Sequence, residues 1–178
     1  MIPEPVKAII NEQIKNEFES AYLYLSAAAW FHAHNLEGMA HWMRVQVHEE
    51  TIHGMKFLDH INDRGGSVKL LDMKQIKTDW QSAKEVFEDA LAHEQFITDC
   101  INKIMKVARD NNDYASEPLL HWFVNEQIEE EANVTKILEE LKKVGDNQNG
   151  LFLLDRELGT RMWPAGSCYN PINYNLVA

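Results

Sequence analysis

The sequence predicts an all-α fold, a four-helix bundle with one long crossover between its second and third helices and a short fifth helix near the C-terminal end. Three observations lead there. Four stretches of the 178-residue chain repeat apolar residues at steps of three, four or seven. One connection is far longer than the others. No stretch alternates with the two-residue period of a strand. With 45% hydrophobic residues, the chain can bury the core of a single domain.

Pro3 and Pro5 lead into the first helix, whose apolar face reads Val6, Ile10, Ile14, Ala21, Tyr24 and Ala28 over roughly residues 5 to 33. The stretch "AHNLEG" breaks it. The second helix carries Leu36, Met39, Met43, Val47, Phe57 and Ile61 and stops at the glycines of "NDRGG", near residue 64. Met39, Met43 and Met55 read as flexible core fillers. The third helix runs from Ala83 through Phe87, Ala90, Ile97, Ile101 and Ile104 to Ala108, and "RDNNDYASEP" closes it. The fourth reads Leu120, Phe123, Val134, Ile137 and Leu141, with Gly145 as its stop. Short breaks after the first and third helices imply antiparallel neighbours, whereas "GGSVKLLDMKQIKTDW" is long enough to run back along the bundle. The fifth helix, "GLFLLDREL" at 150–158, brings Leu151, Phe152, Leu153, Leu154 and Leu158 together. A completed bundle has no room for that much apolar surface, so the segment is expected to pack against copies of the chain.

Composition narrows the partners. A net charge of −11 would repel a phosphate backbone, which argues against nucleic acid, but suits the gathering of cations. Cys100 and Cys168 stand in no metal-type spacing, and a reducing compartment fits best. The start, "MIPEPVKAII", lacks the basic-then-apolar order of a leader, and no apolar run reaches membrane length. A cytoplasmic protein without a membrane partner is expected.

The stripes themselves carry the functional signal, because each is interrupted by polar residues near its midpoint. Glu17 stands seven after Ile10 and seven before Tyr24; Glu50 stands between Met43 and Phe57, with His53 one turn on. Glu94 interrupts Ala90 and Ile97, and Gln127 and Glu130 interrupt Phe123 and Val134. In an antiparallel bundle, midpoints meet at one height whichever way each helix runs. Taken singly, Glu49, Glu126 or Glu129 would read as a solvated surface residue, His53 as a hydrogen-bonded core histidine and Tyr24 as a core tyrosine. The coincidence in four helices is what those readings do not explain. Buried carboxylates cost several kcal/mol each unless paired or protonated. No Lys or Arg lies in these stripes near the midpoints, so the balancing charge is expected from solution, and four glutamates would neutralise two divalent cations. An oxygen-rich site with one imidazole and no thiolate suits Fe(II), Mn(II) or Zn(II). Iron gives the arrangement a redox purpose, since two adjacent ferrous ions can each give an electron to one dioxygen or peroxide. Beside such ions, Tyr24 could donate a hydrogen bond or an electron.

With these residues in view, the whole chain from the first helix to residue 158 resembles ferritin of the bacterial non-haem type. The resemblance rests on Glu17 followed by Tyr24, on Glu50-Thr51-Ile52-His53, on Glu94, and on Asn125-Glu126-Gln127 with Glu130. It implies a ferritin-like diiron domain over residues 1–160 and a tail of unknown role over 161–178. It implies that Glu17, Glu50 and His53 hold a first iron and that Glu50, Glu94 and Glu130 hold a second, with Glu50 bridging and Gln127 just behind them. Glu49, Glu126 and Glu129 match a third iron position that shares Glu130. The family's function would be ferroxidase oxidation of Fe(II) by dioxygen or hydrogen peroxide, followed by mineral storage in a shell of twenty-four subunits. The fifth helix would stand at the fourfold axes, and Glu117 at a threefold pore or simply at a helix start. Bacterioferritin and the diiron oxidases carry a second Glu-x-x-His on the last bundle helix; here Gln127 and Glu130 make a weaker second position that ions should pass through. Thr51 stands where bacterioferritin has its haem-ligating Met, so no haem is expected. Two other functions remain open. A diiron oxygenase acting on an organic substrate would need the stable cofactor that Gln127 disfavours. A non-catalytic, mineral-nucleating subunit would have lost ligands that are present here.

Overall fold

Prolines, asparagines and a serine set where the helices begin and turn. The structure is a computed structural model describing residues 1–164; Cys168 and the rest of the tail lie outside the described residues. Its helices are α1 (Glu4–Ala33), α2 (Glu37–Asp63), α3 (Ala83–Asp110), α4 (Glu117–Val144) and α5 (Gln148–Leu158), with a 3-10 turn at Tyr114–Ser116 before α4. No strand occurs among the described residues. Pro5 and Pro118 sit in the first turns of α1 and α4, where a missing N–H costs nothing. Asn35 (φ 57°) and Asn112 (φ 55°) make the reversals after α1 and α3, adopting the left-handed conformation that asparagine tolerates best after glycine. Ser82 caps α3 by accepting from Glu85 N at 3.2 Å.

The crossover of residues 64–82 runs back along α1, tied to it at successive heights. Asn11 accepts from Lys69 N at 2.8 Å and Glu19 from Lys74 N at 2.8 Å; Ser26 donates to Lys77 O at 2.8 Å and Trp30 to Asp79 at 3.1 Å. The chain therefore enters α3 at the same end at which it entered α2, and those two helices run parallel.

The fifth helix departs from the expectation that the bundle would leave it unburied. Leu154 and Leu158 pack into the core at one end of the bundle, while Phe152 and Leu153 remain 59% and 66% exposed. The docking is tight. Asp155 accepts from Met39 N at 2.8 Å, satisfying a free donor in the first turn of α2, and a Cβ on Gly38 would fall 1.6 Å from the Asp155 carbonyl oxygen. Gly38→Ala is therefore expected to lower the thermal midpoint despite alanine's higher helix propensity. About 1 kcal/mol of propensity is gained. Against it, a backbone clash must be relieved by shifting α5 and exposing Leu154 and Leu158, each worth roughly 1.5–3 kcal/mol of burial. A midpoint equal to or above that of the parent in thermal melts would refute this. Met55 likewise differs from expectation: Met39 and Met43 are fully buried, whereas Met55 is 42% exposed.

The core has two apolar halves. One gathers Phe31, Met39, Met43, Phe87, Val134 and their neighbours; the other gathers Ile10, Phe57, Ile101, Leu120 and Phe123 with theirs. Between them lies a layer of buried polar side chains contributed by all four long helices.

Candidate metal centre

That layer consists of Gln13 and Glu17 from α1, Gln46, Glu50 and His53 from α2, Glu94 from α3, and Gln127 and Glu130 from α4, each at most 4% exposed. The helical repeat puts each residue there: the interrupted positions continue the same faces that bury the apolar halves above and below. Glu17, Glu50 and His53 bring one ligand atom each to within 4.8 Å of the others, and so do His53, Glu126 and Glu130. The His53 ring lies between the two groups, with Nδ1 3.4 Å from Glu50 and Nε2 3.7 Å from Glu126. Trp122 and Phe123 stand edge-on against it, each with its ring centre 5.5 Å away, so the ring's orientation is set by packing.

Glu94 is held differently. It accepts from the Tyr24 hydroxyl, and from Gln127 Nε2 at 3.1 Å; that same Nε2 is 3.2 Å from the Glu94 carbonyl oxygen. Glu130 accepts from Gln46 Nε2 at 2.9 Å, and Glu17 from Gln13 Nε2 at 2.9 Å. Glu50, Glu94 and Glu130 do not gather into a trio within 4.8 Å among the described residues, and hydrogen bonds from Tyr24, Gln127 and Gln46 hold Glu94 and Glu130 as they stand. Gln13 and Gln46 are additions to the sequence reading. Each precedes a layer glutamate by four residues, which places it on the same helix face; that spacing was the available signal.

The electrostatics of the layer are lopsided. Burial, reinforced by neighbouring carboxylates, pushes the Glu17, Glu94 and Glu130 carboxyls up to about 8. Burial and Glu94 raise Glu50 as well. Burial opposes a charge on His53, but Glu126 and Glu50 outweigh it and hold the ring's pKa well above its usual value. The Tyr24 hydroxyl is raised by burial and by the adjacent Glu94, and stays protonated as a donor. Glu17 Oε2 finds no hydrogen-bond partner among the described residues. An orphaned buried carboxylate oxygen facing other carboxylates is a position that a cation would complete.

Outside the layer, the remaining expected residues scatter. Glu126 is half-buried beside His53, and Glu129 is exposed. Glu49, half-buried, is engaged by Arg161 Nη2 at 2.6 Å. One guanidinium thus reaches the edge of the site from beyond α5, pairing with Glu49 and not with the four layer glutamates. Glu117 receives Arg109 Nε at 3.1 Å and lies 3.7 Å from His121 Nε2, in the first turn of α4, where the helix dipole favours a carboxylate.

Fold and site together define a four-helix-bundle protein with a carboxylate–histidine cluster suited to metal ions. The family model described as a ferritin-like domain matches residues 7–144. A bacterial non-heme ferritin of Staphylococcus aureus (strain MRSA252) is 35% identical over 161 residues, covering 90% of this chain and 97% of that relative. A second, from Staphylococcus epidermidis, is also 35% identical over 161 residues, with the same coverage of both chains. Among solved structures, an open pore ferritin from the archaeon Archaeoglobus fulgidus superposes with a TM-score of 0.89 at 40% identity, covering 91% of this chain and 99% of that one. A humanized archaeal ferritin superposes with a TM-score of 0.90 at 39% identity, covering 92% and 99%. The chain belongs to the ferritin family, and family and fold support a role in iron storage. No helix among the described residues is long and apolar enough to cross a membrane.

Proposed function

We propose that the chain is a ferroxidase subunit of an iron-storage shell, with Fe(II) as substrate and dioxygen or hydrogen peroxide as oxidant. The observation that carries this reading is the buried layer itself: four glutamates and a histidine from four helices, with no lysine or arginine ion-paired to Glu17, Glu50, Glu94 or Glu130 among the described residues.

In this reading Glu17, Glu50 and His53 take one Fe(II), and Glu50, Glu94 and Glu130 take a second, with Glu50 shared. Each ferrous ion gives up one electron, and one dioxygen accepts both, with two protons, to leave as hydrogen peroxide. The chain's own residues prepare the step. Gln13 and Gln46 aim Glu17 and Glu130, and Tyr24 and Gln127 hold Glu94 until a cation draws it inward. The carboxyls that burial keeps protonated surrender their protons to solvent as ions enter. Gln127 stands where a second imidazole would anchor an ion, so ferric product is released toward the mineral rather than kept. His53, Glu126 and Glu130 give it a way out, with Glu49 and Glu129 beyond them. The exposed Phe152 and Leu153 on α5 support assembly into a homo-oligomer, taken here as the twenty-four-subunit shell. Residues 1–160 form the working unit.

The test is anaerobic loading of metal-free protein with Fe(II), followed by exposure to air, with Glu130→Ala alongside and absorbance of ferric iron as the readout. The parent is expected to show a fast phase saturating at about two to three irons per chain. Glu130→Ala is expected to lose that phase. Unchanged oxidation in the variant would mean that the carboxylates only gather iron for slow mineral growth.

A further inference from the structure

The segment that follows α5 does not trail away from the bundle. It turns back across α2, and Arg161 is fastened there on every side. Its Nη2 donates to Glu49 at 2.6 Å, its Nη1 lies 3.4 Å from the Trp42 carbonyl oxygen, its guanidinium stacks 4.4 Å over the Trp42 ring, and its own carbonyl oxygen is 2.8 Å from His41 Nε2. Trp163 continues the contact, edge-on to His41 at 5.4 Å and to His48 at 6.3 Å. Only 19% of the Arg161 side chain is exposed. The partner it has chosen matters. Glu49 shares an electrostatic environment with His53, Glu126 and Glu129, and His53 and Glu126 belong to the outer of the two metal-competent groups.

We propose that Arg161 is a tethered cation that competes with a metal ion for Glu49, so that the strap of residues 159–164 and an ion at the outer group hold the same carboxylate in turn. A guanidinium donating to Glu49 repels a metal ion that approaches the same carboxylate, and with only one negative charge to draw on each cation weakens the other's hold. With the strap docked, the acid beside the outer group is already engaged, and an ion arriving there is held loosely. An ion that does win Glu49 frees the guanidinium and loosens the strap. The device thus sets how long an ion stays on its way out, a specificity-determining role for a residue remote from the inner site. It rests on the proposed metal reading of the layer.

Zn(II), which does not change oxidation state, serves as the probe. Calorimetric titration into the metal-free assembled protein should resolve a tight class at the inner group and a weaker class at the outer one. Arg161→Gln is expected to tighten the weaker class about tenfold, the scale of one charge-assisted hydrogen bond, with the tight class unchanged. Arg161→Lys, which keeps the charge but not the planar fork, should fall between. In the parent, saturating Zn(II) should raise hydrogen exchange across residues 159–164, which a merely structural clamp would not do. An unchanged weak class in Arg161→Gln, or strap exchange indifferent to Zn(II), overturns the proposal. Should Arg161→Gln fail to assemble, Glu49→Gln replaces it: its strap is expected to exchange fast with and without Zn(II), and retained protection overturns the proposal equally. Loss of the tight class in every protein, with the weak-class shift intact, would sink the ferroxidase reading and leave the competition standing.

Discussion

Glu50→Gln is expected to abolish tight binding of the Fe(II) pair while making the metal-free protein more stable. The substitution keeps the side chain's volume and removes only its charge. A neutral amide neither bridges two cations nor balances them, so affinity should fall by at least ~100-fold. Stability should move the other way, because Glu50 is buried with Glu17 and Glu130 and raises the cost of ionising both. At pH 8 the metal-free variant should melt a few degrees above the parent, on the order of 1 kcal/mol. At pH 4, where the layer's carboxyls are protonated, the two should coincide. A variant that melts lower than the parent at pH 8 would show that Glu50 supports the empty fold rather than burdening it.

The second large effect is a proton count. Glu17, Glu94 and Glu130 have folded-state values near 8 against an ordinary 4.5, so at neutral pH the metal-free fold carries protons that the unfolded chain has lost. Their contribution to stability is fully present below about pH 4.5 and is lost as pH rises through about 8. Metal binding requires the ionised form. Fe(II) added anaerobically at pH 7 should therefore displace protons, and apparent affinity should rise by up to tenfold per pH unit for each proton released. Calorimetry at pH 7 in two buffers of different ionisation enthalpy counts them. A count near zero, with affinity flat between pH 6 and 8, would mean that these carboxyls are already ionised before iron arrives.

How much of this was legible in the sequence follows from what periodicity can record. A helix face is written in steps of three and four, so the four long helices, Glu17, Glu50, His53, Glu94, Gln127 and Glu130 could all be read from their own strands of text. Gln13 and Gln46 lay on the same faces, yet glutamine is so common on solvated helix surfaces that it drew no attention without the acceptor it serves. Arg161 could not be found this way. It reaches Glu49 across 112 residues from a segment with no repeat, and nothing local distinguishes it from any exposed arginine. The fifth helix was half legible: its apolar content was plain, but the inward seating of Leu154 and Leu158 depends on Gly38, whose missing side chain lets two backbones meet.

The division of the core into two apolar halves has a mechanical consequence. Without a cation, the plane between them is held by side-chain hydrogen bonds among acids that burial keeps protonated, and it is where the bundle should shear first. A cation pair seated there would rivet α1 through Glu17, α2 through Glu50 and His53, α3 through Glu94 and α4 through Glu130 at a single cross-section. The cargo in transit would then act as a reversible fastener, and each subunit's stiffness would report whether iron is passing through it.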